Sequence, residues 1–249
     1  MDTPFSGPGF SQSRQRSARG TLRIAETFAS RQGEGKLTGQ KSFFIRTSGC
    51  NLRCWFCDTP YASWDPQGEW CSIEDLVDAA VQEGNEHVVL TGGEPMLPPR
   101  ITDLSLQLQQ SGLHVTIETA GTIDREVGCD LMSISPKFRS SGPSPAEHPD
   151  WSQRHEKLRK SVASIRRLID RASSYQLKFV VDSKQDFDEL EEIANAVDAS
   201  AGDIWVMPQG STIEALDRAK AWLQPWCEQR GFRYCDRMQI RWYGNRRGT

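Results

Sequence analysis

The sequence predicts an α/β protein made of parallel βαβ units. Strand-like and helix-like runs alternate from residue 22 onward. The chemically informative residues fall just after predicted strands, where parallel α/β folds place their sites. The 249 residues hold no internal repeat and no strong domain boundary, so 21–249 is expected to be a single domain. An incomplete (β/α) barrel and a doubly wound sheet fit this alternation equally.

Residues 1–20, rich in Ser, Arg, Gly and Pro, read as a disordered leader. Asp2, Pro4 and Pro8 interrupt the amphipathic helix of a transit peptide. Runs 22–28 and 42–47 read as strands. Ser72-Ile73-Glu74-Asp75 is a capping-box variant, followed by Leu76, Val77, Ala80 and Val81 at helical spacing and a stop at Gly84. A short apolar strand, 87–90, runs into Thr91-Gly92-Gly93-Glu94-Pro95. Pro98 and Pro99 mark a helix start, with Ile101, Leu104 and Leu108 as its buried stripe. Strands follow at 115–118 and 131–135, then a polar exposed loop at 139–153 and a helix at 158–169. Strands at 176–181, 204–207 and 238–242 are separated by helices at 187–197 and 214–228.

Hydrophobic residues make up 37% and charged residues 25%, as in a soluble globular protein. A net charge of −3 without a polybasic stretch argues against nucleic acid as a partner. No apolar run approaches membrane-spanning length, so no membrane partner is expected. Seven cysteines are an odd number for a disulfide framework, and no secretory signal precedes them. A reducing, cytoplasmic location and metal or redox chemistry are expected instead.

Cys50, Cys54 and Cys57 stand in Gly49-Cys50-Asn51-Leu52-Arg53-Cys54-Trp55-Phe56-Cys57-Asp58-Thr59. The Cys-x-x-x-Cys-x-x-Cys spacing brings three thiolates to one loop. A closed zinc site needs four protein ligands, whereas three suit a four-iron cluster with one iron open to a small molecule. A zinc knuckle remains open on spacing alone, with Cys71, His87 or Cys129 as candidate fourth ligand. The other cysteines, including Cys227 and Cys235, read as small buried hydrophobes.

The cysteine spacing, Phe56 before the third cysteine and Thr91-Gly92-Gly93-Glu94-Pro95 after the next strand resemble the radical S-adenosylmethionine (SAM) enzymes. Within them, Gln32-Gly33-Glu34-Gly35, Phe44-Ile45-Arg46, Gly49-Cys50-Asn51-Leu52, Cys57-Asp58-Thr59, Ser135-Pro136-Lys137 and Trp242-Tyr243-Gly244-Asn245 resemble the 7-carboxy-7-deazaguanine synthase family. The resemblance implies an incomplete TIM-like (β/α) barrel of the radical SAM type and a homodimer. It also implies a [4Fe-4S] cluster, SAM and Mg²⁺. The implied reaction converts 6-carboxy-5,6,7,8-tetrahydropterin to 7-carboxy-7-deazaguanine with loss of ammonia, on the route to queuosine.

The resemblance also assigns positions. Cys50, Cys54 and Cys57 would ligate the cluster. Phe56, Cys57, Asp58, Gly93, Ser135, Pro136 and Lys137 would contact SAM. Arg31, Gln32, Gly33, Glu34, Arg46 and Thr91 would contact the pterin, Arg46 by pairing with its carboxylate, and Thr59 would reach Mg²⁺. Arg31 departs from the pattern, since a hydrophobic residue often stands there. Met207-Pro208-Gln209-Gly210 is a further candidate contact for adenosine. The reductant would be a small protein such as a flavodoxin or ferredoxin. A radical SAM activase acting on a partner protein shares the cysteine loop. The Gln32-Gly33-Glu34-Gly35 element and Asp58-Thr59 favour the small-molecule substrate over that alternative.

Overall fold

The computed structural model describes residues 20–249, so nearly all of the expected leader lies outside the described residues. The first long strand, β1 (Thr21–Arg31), turns back through a 3-10 turn at Gly35–Leu37 into its antiparallel partner β2 (Lys41–Thr47). The cysteine loop follows, then α1 (Pro60–Ser63), β3 (Glu69–Ser72) and α2 (Ile73–Glu83). The chain continues through β4 (His87–Gly92), α3 (Ile101–Gln110), β5 (His114–Thr119) and β6 (Leu131–Ile134). After α4 (Pro149–Arg159) and α5 (Val162–Arg171) come β7 (Tyr175–Val181), α6 (Phe187–Ala196) and β8 (Ile204–Pro208). The last elements are α7 (Ile213–Arg230), β9 (Arg233–Tyr234) and α8 (Met238–Tyr243).

Strand order decides between the two architectures that periodicity left open. The sheet runs β3-β1-β2-β4-β5-β6-β7-β8-β9. From β2 to β9 every pairing is parallel and the order never reverses. A doubly wound sheet would reverse at its switch point. A one-way order whose end strands do not pair is an incomplete barrel, here edged by the antiparallel strands β1 and β3.

Local signals act as read. The Ser72 hydroxyl accepts from Asp75 N–H at 3.1 Å, and Gly84 closes α2 with φ +74°. Ile101, Leu104 and Leu108 of α3 are completely buried. Among the described residues no helix is long and apolar enough to cross a membrane.

Three expectations are corrected. Residues 238–242 form helix α8, not a strand. Met238, Ile240 and Trp242 alternate, but only Ile240 is buried, and Met238 N–H is drawn to the Gly33 carbonyl at 3.0 Å. The expected exposed loop at 139–153 contains a 3-10 turn, Arg139–Ser141, and the start of α4, with Ser141 buried against the cysteine loop. The single helix expected at 158–169 is broken at Lys160 and Ser161, where Ser161 N–H bonds back to the Arg159 carbonyl before α5 begins.

Candidate active site

A cavity of about 390 Å³ opens at the C-terminal ends of the parallel strands. Its wall takes Arg46 from β2, Thr91 from β4, Glu118 and Thr119 from β5, Lys178 from β7 and Met207 from β8. Cys50, Cys54, Phe56, Cys57, Asp58 and Thr59 of the cysteine loop line it too. So do Arg31, Gln32, Gly33, Glu34, Gly93, Ser135 and Lys137. Of the residues assigned by resemblance to the cluster, SAM, pterin or Mg²⁺, Pro136 alone is off this wall, and of Met207-Pro208-Gln209-Gly210 only Met207 reaches it.

The three cysteines are free thiols. Leu52 N–H donates to Cys50 Sγ at 3.4 Å. Ser63 Oγ lies 3.1 Å from Cys57 Sγ, and the Ser141 hydroxyl faces Cys54. Burial pushes the Cys50 thiol up to about 12, with Glu94 and the other cysteines adding to the effect. Burial likewise pushes Cys54 up to about 11, against the pull of Lys137. Thiolates here therefore need a strongly cationic partner, while the surrounding donors already suit sulfur acceptors. That donor set fits ligands to separate irons of a [4Fe-4S] cluster. Among the described residues no three His, Cys, Asp or Glu side chains close on one point, as a zinc site requires. Cys71, His87 and Cys129 lie off the cavity wall. Cys71 and Cys227 sit in the core, and Cys235 accepts the Gly35 N–H at 3.0 Å.

Gly93 is a glycine for a reason the sequence does not show. A Cβ there would lie 2.4 Å from the carbonyl oxygens of both Gly49 and Ala62. The missing side chain lets the β4 loop dock on the cysteine loop, where Gly93 N–H donates to the Thr47 carbonyl and Glu94 N–H to the Gly49 carbonyl. Glu94 is fully buried. Burial raises its pKa, against hydrogen bonds from the Thr119 hydroxyl (2.7 Å), Ala120 N–H (2.9 Å) and Met96 N–H (3.0 Å). It ties the end of β4 to the end of β5.

The cavity also carries a polar wall. Lys178 Nζ lies 2.7 Å from Glu34 and 3.2 Å from Glu118, and Gln32 donates to the same Glu118 oxygen. Arg237 and Gln239 donate to Glu34 Oε1, and Arg237 also pairs with Asp58 at 2.5 Å. Burial would raise the Glu34 carboxyl, but Lys178 and Arg237 hold it down at about 2. Lys178 is raised above its ordinary value by Glu118 and Glu34 despite burial. Gly33 lets α8 close on this wall, since a Cβ would meet Gln239 N at 2.8 Å.

Arg46 is held by its Nε, which donates to Glu26 at 2.7 Å. Glu26 also accepts from the Tyr61 hydroxyl and Arg247. Burial opposes ionisation of Glu26, yet these three donors keep its pKa below the usual value. Residues 244–249 line the cavity beside Tyr61, with the Arg247 guanidinium 4.0 Å from its ring.

Sequence reasoning left Glu118, Lys178, Arg237, Gln239 and the 244–249 segment without roles. Glu118 carried a signal, since it closes an apolar strand. Lys178 carried another, as the one charge within the strand Tyr175–Val181. Arg237 carried none, because its partners Glu34 and Asp58 are distant in sequence.

Residues 44–197 match the radical SAM superfamily. The chain is 53% identical over 234 residues to the 7-carboxy-7-deazaguanine synthase of Rhodopirellula baltica, covering 94% of this chain and 91% of that one. It is 43% identical over 231 residues to the enzyme of the same name from Halobacterium salinarum, covering 88% and 89%. Its fold resembles the crystal structure of QueE from Escherichia coli, with a TM-score of 0.62 at 24% identity over 88% of this chain and 94% of that one. With relatives this similar along nearly its whole length, the chain belongs to the 7-carboxy-7-deazaguanine synthase family of radical SAM enzymes.

Proposed function

We propose that this chain converts 6-carboxy-5,6,7,8-tetrahydropterin to 7-carboxy-7-deazaguanine with loss of ammonia. The observation that carries the reading is that one cavity gathers three free cysteines together with Gln32, Glu34, Arg46 and Thr91. In this reading Cys50, Cys54 and Cys57 hold a [4Fe-4S] cluster. When bound, the cluster and SAM supply hydrogen-atom abstraction through a 5′-deoxyadenosyl radical. Phe56, Cys57, Asp58, Gly93 and the Ser135-Pro136-Lys137 segment contact SAM. Lys137 Nζ is 2.6 Å from Ser135 Oγ, which holds that segment at the cavity edge.

Gln32, Thr91 and the Glu34–Lys178–Glu118 group present donors and acceptors suited to the amide and amine edge of a pterin. Arg46 spends its Nε on Glu26, so its terminal N–H groups are the ones for the substrate carboxylate. Thr59 is the N-cap of α1, yet its hydroxyl makes no capping bond. That hydroxyl suits one position of a Mg²⁺ shell otherwise filled by substrate and water. A reducing protein partner, a homodimer and a cytoplasmic location complete the proposal. All seven cysteines being free supports a reducing location.

Anaerobic incubation of the reduced, reconstituted chain with SAM, Mg²⁺ and the carboxytetrahydropterin tests the reading by mass analysis. The product 7-carboxy-7-deazaguanine is expected. A brown, iron-loaded protein that cleaves SAM and leaves the pterin intact would overturn the substrate assignment. A colourless chain that takes up zinc instead would overturn the cluster.

A further inference from the structure

Nothing in the proposed function uses the stretch from Phe138 to Arg159, yet it grips the cysteine loop on both sides of Cys54. Before the cysteine, Arg53 N–H donates to His155 Nδ1 of α4 at 3.2 Å. After it, Trp55 N–H donates to the Ser141 carbonyl at 3.1 Å and its indole N–H to the Ser140 carbonyl at 2.9 Å. The Arg53 guanidinium lies 3.9 Å from the Trp151 ring of α4. It also donates to the carbonyls of Cys50 (2.8 Å) and Leu52 (2.7 Å), fixing the turn between the first two cysteines.

His155 is 1% exposed and absent from the cavity wall. A backbone amide can only donate, so Nδ1 accepts and the neutral ring carries its proton on Nε2. Nε2–H then donates to Ser141 Oγ, 3.0 Å away. The hydroxyl, its lone pair engaged, is left to donate. Its single proton goes to the Phe138 carbonyl at 2.7 Å, closing the turn whose Ser140 and Ser141 carbonyls hold Trp55.

We infer that His155 and Ser141 are positioning residues for the iron–sulfur site. They clamp the backbone on both sides of Cys54, so that this segment sets the cluster's reduction potential and shields it from oxidants. The inference rests on Cys54 being a cluster ligand. Hydrogen bonds to the sulfurs and exclusion of solvent are the protein's levers on such a potential.

The test uses the full chain, reconstituted without oxygen, as wild type, Ser141→Ala, Ser141→Thr, His155→Asn and His155→Gln. Iron content, the midpoint potential from an EPR-monitored titration, the rate of bleaching in air and the unfolding midpoint of the iron-free chain are read, none of which depends on turnover. Ser141→Ala is expected to fold and load iron like wild type, with a shifted potential and several-fold faster bleaching. Ser141→Thr should restore both. His155→Asn keeps an acceptor near Arg53 N–H but loses its reach to Ser141, and should resemble Ser141→Ala; His155→Gln, which reaches Ser141, should shift the potential less. An iron-loaded Ser141→Ala chain with wild-type potential and bleaching overturns the inference. Should the His155 variants fail to fold, Ser141→Ala still decides, since it removes a single oxygen. If wild type takes up no iron, the cluster reading fails instead.

Discussion

Lys178 sits between two carboxylates, and the polar wall of the cavity depends on it. Its ammonium is buried with Glu34 and Glu118 as partners. Breaking a buried ion pair from one side leaves an uncompensated charge, at a cost of about 3–5 kcal/mol. Lys178→Met should therefore lower unfolding stability at neutral pH by about that much, as measured by chemical denaturation. The pH dependence gives a second check. Glu34 titrates near 2 in the fold against 4.5 for a free glutamate, so its ionised form stabilises the native state. That contribution is complete above pH 4.5 and fades as pH falls from 4.5 toward 2. Lys178→Met removes the main cause of the depression, so the acid-side loss of stability should flatten; an unchanged slope would exclude Lys178 as its source. Arg46 belongs to the same scale. A charge-assisted hydrogen bond contributes about 1.5–3 kcal/mol, so Arg46→Ala should raise KM about 10- to 100-fold with iron content unchanged. An unaltered KM would remove Arg46 from the substrate site.

Among the elements, the loops after β4 and β5 show how strand ends become a site. Glu94 gives one oxygen to Thr119 and Met96 and the other to Ala120, so two neighbouring loops share one carboxylate. Glu94→Gln puts an amide where one of these acceptors was and leaves a buried donor unmet, costing about 1–3 kcal/mol. The expected outcome is a lower unfolding midpoint together with weaker SAM binding, measured by equilibrium titration of the reconstituted chain. A stability loss with intact SAM affinity would confine Glu94 to a structural role. The same elements show what sequence can carry. Cap, glycine stop and helical stripe are written within a few residues, and α2 and α3 follow them. The helix α4 was illegible because its face is polar nearly all round, with only His155 and Arg159 buried. The α8 segment alternates like a strand, yet it is helical and docks on Gly33, some two hundred residues earlier, through the Met238 N–H. The cysteine loop was legible because its ligands are adjacent in sequence. The Lys178 and Arg237 wall was not, because its pairs join residues 60 to 203 positions apart.

At the scale of the whole molecule, the one-way strand order leaves the barrel open between β3 and β9. The cavity is nonetheless walled by both ends of the chain's described course, since β1 carries Phe28 and Arg31 and the 244–249 segment lines it too. Arg247 joins the two, donating to Glu26 at 2.9 Å and to the Ala25 carbonyl at 3.1 Å while resting on Tyr61. Glu26 in turn holds Arg46, so this segment is coupled to the proposed carboxylate site through one shared acid. An exposed ion pair contributes only about 0.2–1 kcal/mol, so releasing Arg247 should loosen the wall without unfolding the chain. Arg247→Ala is expected to raise KM by about fivefold at most, leaving iron content and unfolding midpoint as in wild type. In the double variant with Glu26→Gln the two effects should be less than additive, because both changes break the same contact. Full additivity in KM would mean that the 244–249 segment and Arg46 act on the substrate independently.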